Sequence, residues 1–166
     1  LRPLQLNAVI AALESDNSII SMATGAGKTF VYLVASETLT RLREKRTVTI
    51  ILSPLIALLK QQAGNHPDKE AMVVGENSIA DDVYALVKSE IDLKYLYMCP
   101  ETYTSKFCEV VKKLTKDDDL LGMIIIDEGH LIGTCDENFR PSYPQIAKYI
   151  PSCVKLLMLS GTFTMD

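Results

Sequence analysis

Eight consecutive residues, Met22-Ala23-Thr24-Gly25-Ala26-Gly27-Lys28-Thr29, place two glycines, a lysine and a hydroxyl in the order that phosphate binding requires. Gly25 and Gly27 let the backbone turn so that successive N–H groups, those around Thr24 and Ala26 included, face inward as an anion nest. A helix opening at Lys28 adds the partial positive charge of its N-terminus. Lys28 is placed to reach the β- and γ-phosphates of a nucleotide, and the Thr29 hydroxyl to ligate Mg²⁺. The general phosphate-loop pattern asks for glycine at position 22, where this chain has methionine.

A second set stands far along the chain. The apolar run Gly122–Ile126 ends in Asp127-Glu128-Gly129-His130. A carboxylate at the end of a buried strand beside a phosphate loop is where an aspartate holds Mg²⁺, usually through water. Glu128 is then placed to orient or deprotonate an attacking water. His130, three residues after Asp127, reads as a side chain that hydrogen-bonds across to another loop and senses the nucleotide. His66, beside Pro67 in a polar stretch, reads as a surface residue.

These residues need a scaffold that brings distant segments together, and the pattern of the chain supplies one. Short β-rich apolar runs at Ser18–Met22, Thr47–Leu52, Ala71–Val74, Lys94–Met98, Gly122–Ile126 and Val154–Leu159 alternate with segments of helical period. The helices are expected near Leu4–Leu13, Lys28–Leu42, Leu55–Gln62, Ile79–Lys88, Glu101–Leu114 and Tyr143–Tyr149. Such alternation implies right-handed crossovers and an α/β fold, a mostly parallel sheet flanked by helices on both faces. Thr47–Leu52 and Gly122–Ile126 are apolar almost throughout, as strands covered on both faces are. Ligands gather at the carboxyl ends of strands in such sheets, and both candidate sets lie just after strands.

Composition narrows the class. The 166 residues make one domain, 48% hydrophobic and 23% charged, with a formal charge of −4. That balance excludes a protein held to nucleic acid by bulk positive charge, though not a local contact surface. Cys99, Cys108, Cys135 and Cys153 form no CxxC pair, which argues against a zinc site or disulfide framework and for a reducing compartment. No apolar run approaches the roughly 18 residues that span a bilayer, so an intracellular domain without membrane contact is expected. Arg41, Arg43, Lys45 and Arg46 read as a helix end whose cations complement the dipole. Asp117-Asp118-Asp119 reads as a polar surface turn rather than a metal site.

Several of these segments together resemble the first RecA-like domain of superfamily 2 helicases, specifically the RecQ family. Met22 to Thr29 resembles its motif I, including the methionine that departs from the general pattern. Ser53-Pro54-Leu55-Ile56-Ala57-Leu58 with Gln61-Gln62 resembles motif Ia, and Cys99-Pro100-Glu101 resembles the Ala-Pro-Glu element. Asp127-Glu128-Gly129-His130 resembles the DExH box, Phe139-Arg140-Pro141-Ser142-Tyr143 the Phe-Arg-Pro-x-Tyr segment, and Ser160-Gly161-Thr162 motif III. Arg2-Pro3-Leu4-Gln5 resembles the end of motif 0.

The resemblance covers essentially residues 1–166 and implies a P-loop NTPase lobe running from motif 0 to motif III. It further implies an ATP-driven enzyme that moves 3′ to 5′ on single-stranded DNA and unwinds duplexes. Arg2 and Gln5 would read adenine. Thr24, Gly25, Ala26, Gly27, Lys28 and Thr29 would hold the ATP phosphates and Mg²⁺, with Asp127 and Glu128 doing the metal and water chemistry. His130, Ser160 and Thr162 would couple nucleotide state to DNA. Ser53, Pro54, Pro100, Glu101, Phe139 and Arg140 would lie along the strand.

Departures from the family shape the expectation. The aromatic-rich loop of the family becomes Gly133-Thr134-Cys135-Asp136-Glu137-Asn138-Phe139-Arg140-Pro141, without tryptophan. Base stacking on an aromatic is worth about 1–3 kcal/mol, so DNA contact there should weaken. Gly129 and Gly161 replace alanines and should loosen the backbone. The residues end shortly after motif III, so a second RecA-like domain, with an arginine finger worth about 10³–10⁵ in rate, is an expected partner outside them. A monomer that binds nucleotide better than it turns it over, and that does not unwind DNA alone, is the main expectation. Its nucleus location comes only from the resemblance. The rival is a nucleotide- or DNA-binding module, or helicase remnant, without useful catalysis. A P-loop small-molecule kinase would leave motif Ia, the Pro-Glu element and Phe-Arg-Pro-x-Tyr unexplained.

Overall fold

Successive side chains of a strand point to opposite faces, and here both faces are apolar. Ile50, Leu52, Ile124 and Ile126 enter one core and Ile51, Met123, Ile125, Leu157 and Leu159 the other. A sheet with two apolar faces must be covered twice, which dictates three layers. The computed structural model describes residues 1–130 and 142–161. Phe139, Arg140, Thr162 and the loop around Cys135 lie outside these residues.

The strands are β1 (Asn17–Ser21), β2 (Val48–Leu52), β3 (Ala71–Val74), β4 (Tyr95–Met98), β5 (Leu121–Asp127) and β6 (Lys155–Ser160). They form one sheet in the order β1-β6-β5-β2-β4-β3, and every pairing is parallel. Helices α1 (Pro3–Glu14), α2 (Lys28–Leu42) and α3 (Ile56–Gly64) cover one face through Val9, Val31, Ala35, Leu39 and Leu59. Helices α4 (Ala80–Ser89), α5 (Pro100–Thr102), α6 (Cys108–Lys116) and α7 (Ser142–Tyr149) lie on the other, with Val83, Val87, Val111, Leu114 and Ile146 in its core.

The fold matches the alternation of the sequence, with one helix built differently. The period predicts a single helix over Glu101–Leu114, but Tyr103–Phe107 forms a π turn between α5 and α6. Its hydroxyls give the reason. Thr104 Oγ1 donates to the Pro100 and Glu101 carbonyls, and Ser105 Oγ to those of Glu101 and Thr102, drawing carbonyls away from the backbone N–H groups that would close ordinary turns.

The basic cluster is consumed by structure. Arg46 donates through one nitrogen to the Val87, Glu90 and Leu93 carbonyls, closing the carboxyl end of α4. Arg41 pairs with Glu37, Arg43 donates to the Leu121 carbonyl, and Lys45 pairs with Asp119. Asp118 accepts from Tyr84 and Lys88, so it anchors α4. His66 corrects the surface reading. Its side chain is 9% exposed, its ring stacks on Tyr95 at 4.5 Å and its Nε2 lies 2.8 Å from the Tyr97 hydroxyl. A buried pair of strand tyrosines offers an imidazole both a face and a polar partner, which a glance at its own loop does not reveal.

Candidate nucleotide site

The loop after β1 turns through left-handed conformations at Gly25 (φ 78°) and Gly27 (φ 88°), both accessible to glycine at little cost. Gly27 caps α2, so the first N–H groups of that helix and of the turn open onto one point. Gln5 is fastened against the same loop. Its amide donates to the Ala26 carbonyl at 3.0 Å and its oxygen accepts the Arg2 backbone N–H at 2.9 Å. A Cβ on residue 27 would collide with that Gln5 amide, a second reason for glycine there. Arg2 itself is exposed at the start of α1.

The two halves of the site do not sit on adjacent strands. β6 lies between β1 and β5 and fastens to both loops: Met22 N–H donates to the Ser160 carbonyl and Gly129 N–H to the Leu159 carbonyl, each at 2.9 Å. Three neighbouring strand ends thus build the site. Lys28 Nζ is 3.3 Å from Glu128 Oε1, joining the phosphate loop to the acidic box. Glu128 holds a left-handed backbone (φ 56°), a strained conformation for a non-glycine residue. His130 Nδ1 lies 2.7 Å from Ser160 Oγ and 3.4 Å from Glu128 Oε2, so it links the acidic box to β6 as its position in the sequence suggests.

Gly161 reveals a role other than slackness. A Cβ there would stand 3.1 Å from Thr24 Oγ1 and 3.4 Å from Lys28 Nζ. Its φ is not left-handed, so the missing side chain provides room beside the lysine rather than a special turn. A Cβ on residue 129 would stand 3.3 Å from the Met158 side chain and 3.7 Å from the Leu159 carbonyl oxygen.

Asp127 is 5% exposed and accepts the Glu128 N–H at 3.0 Å. Burial holds its carboxyl above the usual carboxylate range. The Glu128 charge adds to this, while Lys28 and the Glu128 N–H oppose it. Ionised Asp127 therefore costs folding free energy in the nucleotide-free protein. The penalty is absent when the group is protonated and grows as pH rises from the ordinary carboxylate range through the raised value. Asp127→Asn should melt at a higher temperature than the parent at pH 7 without nucleotide, and the gap should shrink towards acid pH. Melting curves over that range check this, and a variant less stable at neutral pH would contradict it.

Thr29 and Asp127 offer a hydroxyl and a carboxylate, both hard oxygen donors suited to Mg²⁺. Each is next in sequence to a member of the Lys28–Glu128 pair, which is closed at 3.3 Å, so they share one neighbourhood. Among the described residues no group of three His, Cys, Asp or Glu gathers as a metal cage. The donor set therefore fits a cation completed by phosphate oxygens and water. Gln62 is 8% exposed, and its amide lies 3.5 Å from Thr29 Oγ1. It belongs to a segment singled out in the sequence, but its contact with the phosphate loop had no local signal.

The residues assigned to the strand path divide. Ser53 is fully buried at the end of β2, and its hydroxyl has no hydrogen-bond partner among the described residues. Its backbone N–H donates to the Met98 carbonyl at 3.2 Å, which holds it against the end of β4. Pro100 is also buried, opening α5. Pro54 and Glu101 instead line a cleft of about 430 Å³ with Ile56, Val73, Glu76 and Cys99, at the carboxyl ends of β2, β3 and β4.

A three-layer fold around a parallel sheet, with a phosphate loop and an acidic box on the ends of the two strands that flank β6, defines a RecA-like P-loop NTPase domain. The family model described as DEAD/DEAH box helicase matches residues 2–166, and the chain belongs to that family. Within it, the similar curated proteins are RecQ-type helicases. ATP-dependent DNA helicase Q5 of Rattus norvegicus is 29% identical over 148 residues, covering 85% of this chain and 15% of the relative. ATP-dependent DNA helicase hus2/rqh1 of Schizosaccharomyces pombe is 30% identical, covering 86% and 11%. ATP-dependent DNA helicase RecQ of Haemophilus influenzae is 28% identical, covering 98% and 25%. The chain thus spans at most a quarter of these relatives' length. The helicase domain of Pyrococcus furiosus Hef superposes with a TM-score of 0.68 at 18% identity, over 100% of this chain and 34% of that one. The nuclease-deleted restriction-modification enzyme LlaGI, solved with a DNA substrate mimic, gives 0.66 at 21%, over 98% and 17%. Both share the fold.

Proposed function

We propose that this chain is the ATP-binding lobe of a RecQ-like 3′–5′ DNA helicase, which couples Mg-ATP hydrolysis to movement along single-stranded DNA and to duplex unwinding. The observation that carries this reading is the Lys28–Glu128 ion pair, which joins the phosphate loop and the acidic box at the mouth of the nest. In the nucleotide-free state each charge occupies the other. A γ-phosphate entering the nest takes Lys28 and releases Glu128, so the base is freed only when there is substrate to act on. Glu128 then orients a water against the γ-phosphorus and accepts its proton as the new P–O bond forms and the bond to ADP breaks. Mg²⁺ bound by Thr29 and Asp127 would neutralise charge developing on the phosphate oxygens. Gln5 stands where the rim of the nucleotide pocket meets the loop, and Arg2 would reach the base from the same helix start.

Hydrolysis reaches DNA through the strand end between the two halves. Glu128 is linked through His130 to Ser160, and the same strand end holds Met22 of the phosphate loop. A change in nucleotide state at Glu128 therefore moves residues that continue into motif III. The cleft beside Pro54 and Glu101 lies on the same edge of the sheet and would carry the strand. A second RecA-like lobe supplying an arginine, DNA as partner and the nucleus as compartment belong to the same proposal.

Joining these residues to a second RecA-like lobe should give ATP hydrolysis that single-stranded DNA stimulates. Assays with single-stranded DNA, with a small-molecule acceptor and without either test the reading. Turnover indifferent to DNA would overturn it.

A further inference from the structure

The Thr29 hydroxyl carries one hydrogen and two lone pairs. For a lone pair to face a cation in the nest, the hydrogen must be donated elsewhere. The Gln62 amide nitrogen, 3.5 Å away, only donates and so cannot take it. Tyr32 stands three residues further along α2, on the same helix face as Thr29 and within reach of its hydroxyl. Tyr32 is nearly fully buried, and its oxygen lies 3.4 Å from that of Tyr97 in the middle of β4. Tyr97 in turn lies 2.8 Å from His66 Nε2, and His66 Nδ1 faces Glu70 at 3.7 Å. Five side chains thus form a line from the phosphate loop, across the sheet face, to the outside.

Oxygen positions do not fix which way the hydrogens run; the ends of the line do. The imidazole is stacked on Tyr95 and mostly buried, which disfavours its charged form. Lys94 acts in the same sense and Glu70 opposes. A neutral ring whose Nδ1–H points to Glu70 offers a lone pair at Nε2. Tyr97 then donates to His66, Tyr32 to Tyr97 and Thr29 to Tyr32.

We propose that Tyr32, Tyr97 and His66 are positioning residues for the metal–nucleotide site, a one-way hydrogen-bond chain that draws off the Thr29 hydrogen and leaves a lone pair facing the nest. The inference rests on the nucleotide reading above. It makes the direction of the chain reversible from outside. An imidazolium would donate from Nε2, Tyr97 would have to donate to Tyr32 and Tyr32 to Thr29, and the Thr29 hydrogen would be turned towards the cation. The outer end is accessible to protons, since His66, Glu70 and Lys94 line a surface cleft of about 390 Å³ with Glu37 and Arg41 of α2. The charged groups facing the ring are thus Glu70, Lys94, Glu37 and Arg41, with Tyr95 and Tyr97 beneath it.

The test is the affinity of the chain for a fluorescent ADP, measured with Mg²⁺ and with EDTA. Tyr32→Phe and Tyr97→Phe keep the rings and remove the hydrogens. Each should reduce the Mg²⁺-dependent gain about fivefold, the loss expected of one hydrogen bond, while affinity in EDTA stays at the parental value. A merely structural role would lower both affinities together, and that result, or an unchanged gain, overturns the proposal. Should neither variant fold, the pH profile decides. The parental gain should fall below the ordinary imidazole range more steeply than that of His66→Gln, whose amide oxygen accepts from Tyr97 at every pH. Protonation of the nucleotide phosphate is common to both proteins and cancels. Superimposable profiles overturn the proposal. A parent that binds no nucleotide overturns this inference and the proposed function together, whereas a binding parent with unaffected variants overturns this inference alone.

Discussion

Glu128→Gln, in the chain joined to a second lobe, is expected to hydrolyse ATP about 10²–10⁴-fold more slowly while binding it at least as tightly as the parent. The range is that of a lost general base. Retained binding follows from the geometry of the nucleotide-free state. Glu128 holds Lys28 at 3.3 Å, so part of the binding free energy is spent separating that pair. A neutral amide holds the lysine less strongly and leaves it freer for phosphate. Gln also preserves the left-handed backbone demand at 128, so no new strain is introduced. Single-turnover hydrolysis and nucleotide titration on the same preparation check both halves. Hydrolysis near the parental rate would remove Glu128 from the role of base.

Lys28→Ala should produce the complementary loss. A lysine donating to phosphate oxygens makes charge-assisted hydrogen bonds worth about 1.5–3 kcal/mol each, so nucleotide affinity should fall about 10- to 100-fold or more. The isolated 166-residue chain suffices for this measurement. The same change leaves Glu128 without its cation while Asp127 is buried beside it. The lysine that favours the ionised Asp127 is then gone, so the variant should also be less stable at neutral pH and recover as Asp127 protonates. Titration with labelled nucleotide and melting at two pH values separate these effects. Unchanged affinity would mean that the loop does not use its lysine.

Much of this was legible in the residues themselves. The helix after the phosphate loop runs Lys28–Leu42 as its period predicts, and Ala71–Val74 is a strand with the expected bounds. The phosphate loop and acidic box announce themselves because their chemistry is local: adjacent residues make the nest, and a strand end presents the carboxylate. What could not be read depends on neighbours remote in sequence. Nothing in residues 155–160 says that β6 inserts between β1 and β5, because every ordering of parallel strands shows the same apolar runs. His66 looked like a surface residue since its partners, Tyr95 and Tyr97, come from another segment. The burial of Ser53 at the sheet end likewise comes from neighbouring strands that its own segment does not show. The π turn at Tyr103–Phe107 depends on where the hydroxyls of Thr104 and Ser105 point, which composition alone does not determine.

The place of β1 at the edge of the sheet has a consequence for how the protein comes into being. Its register pairs Asn17 with Leu156 and Ser21 with Ser160, so β1 finds its neighbour only when β6, well over a hundred residues later, has been made. Closing so long a loop is slow and must await synthesis of the intervening chain. The phosphate loop hangs from the free end of that waiting strand. The loops after β1 and β5 are both fastened to β6, so they cannot be brought together until residues near 160 have left the exit tunnel. A product truncated before β6 would lack the strand that joins the two loops.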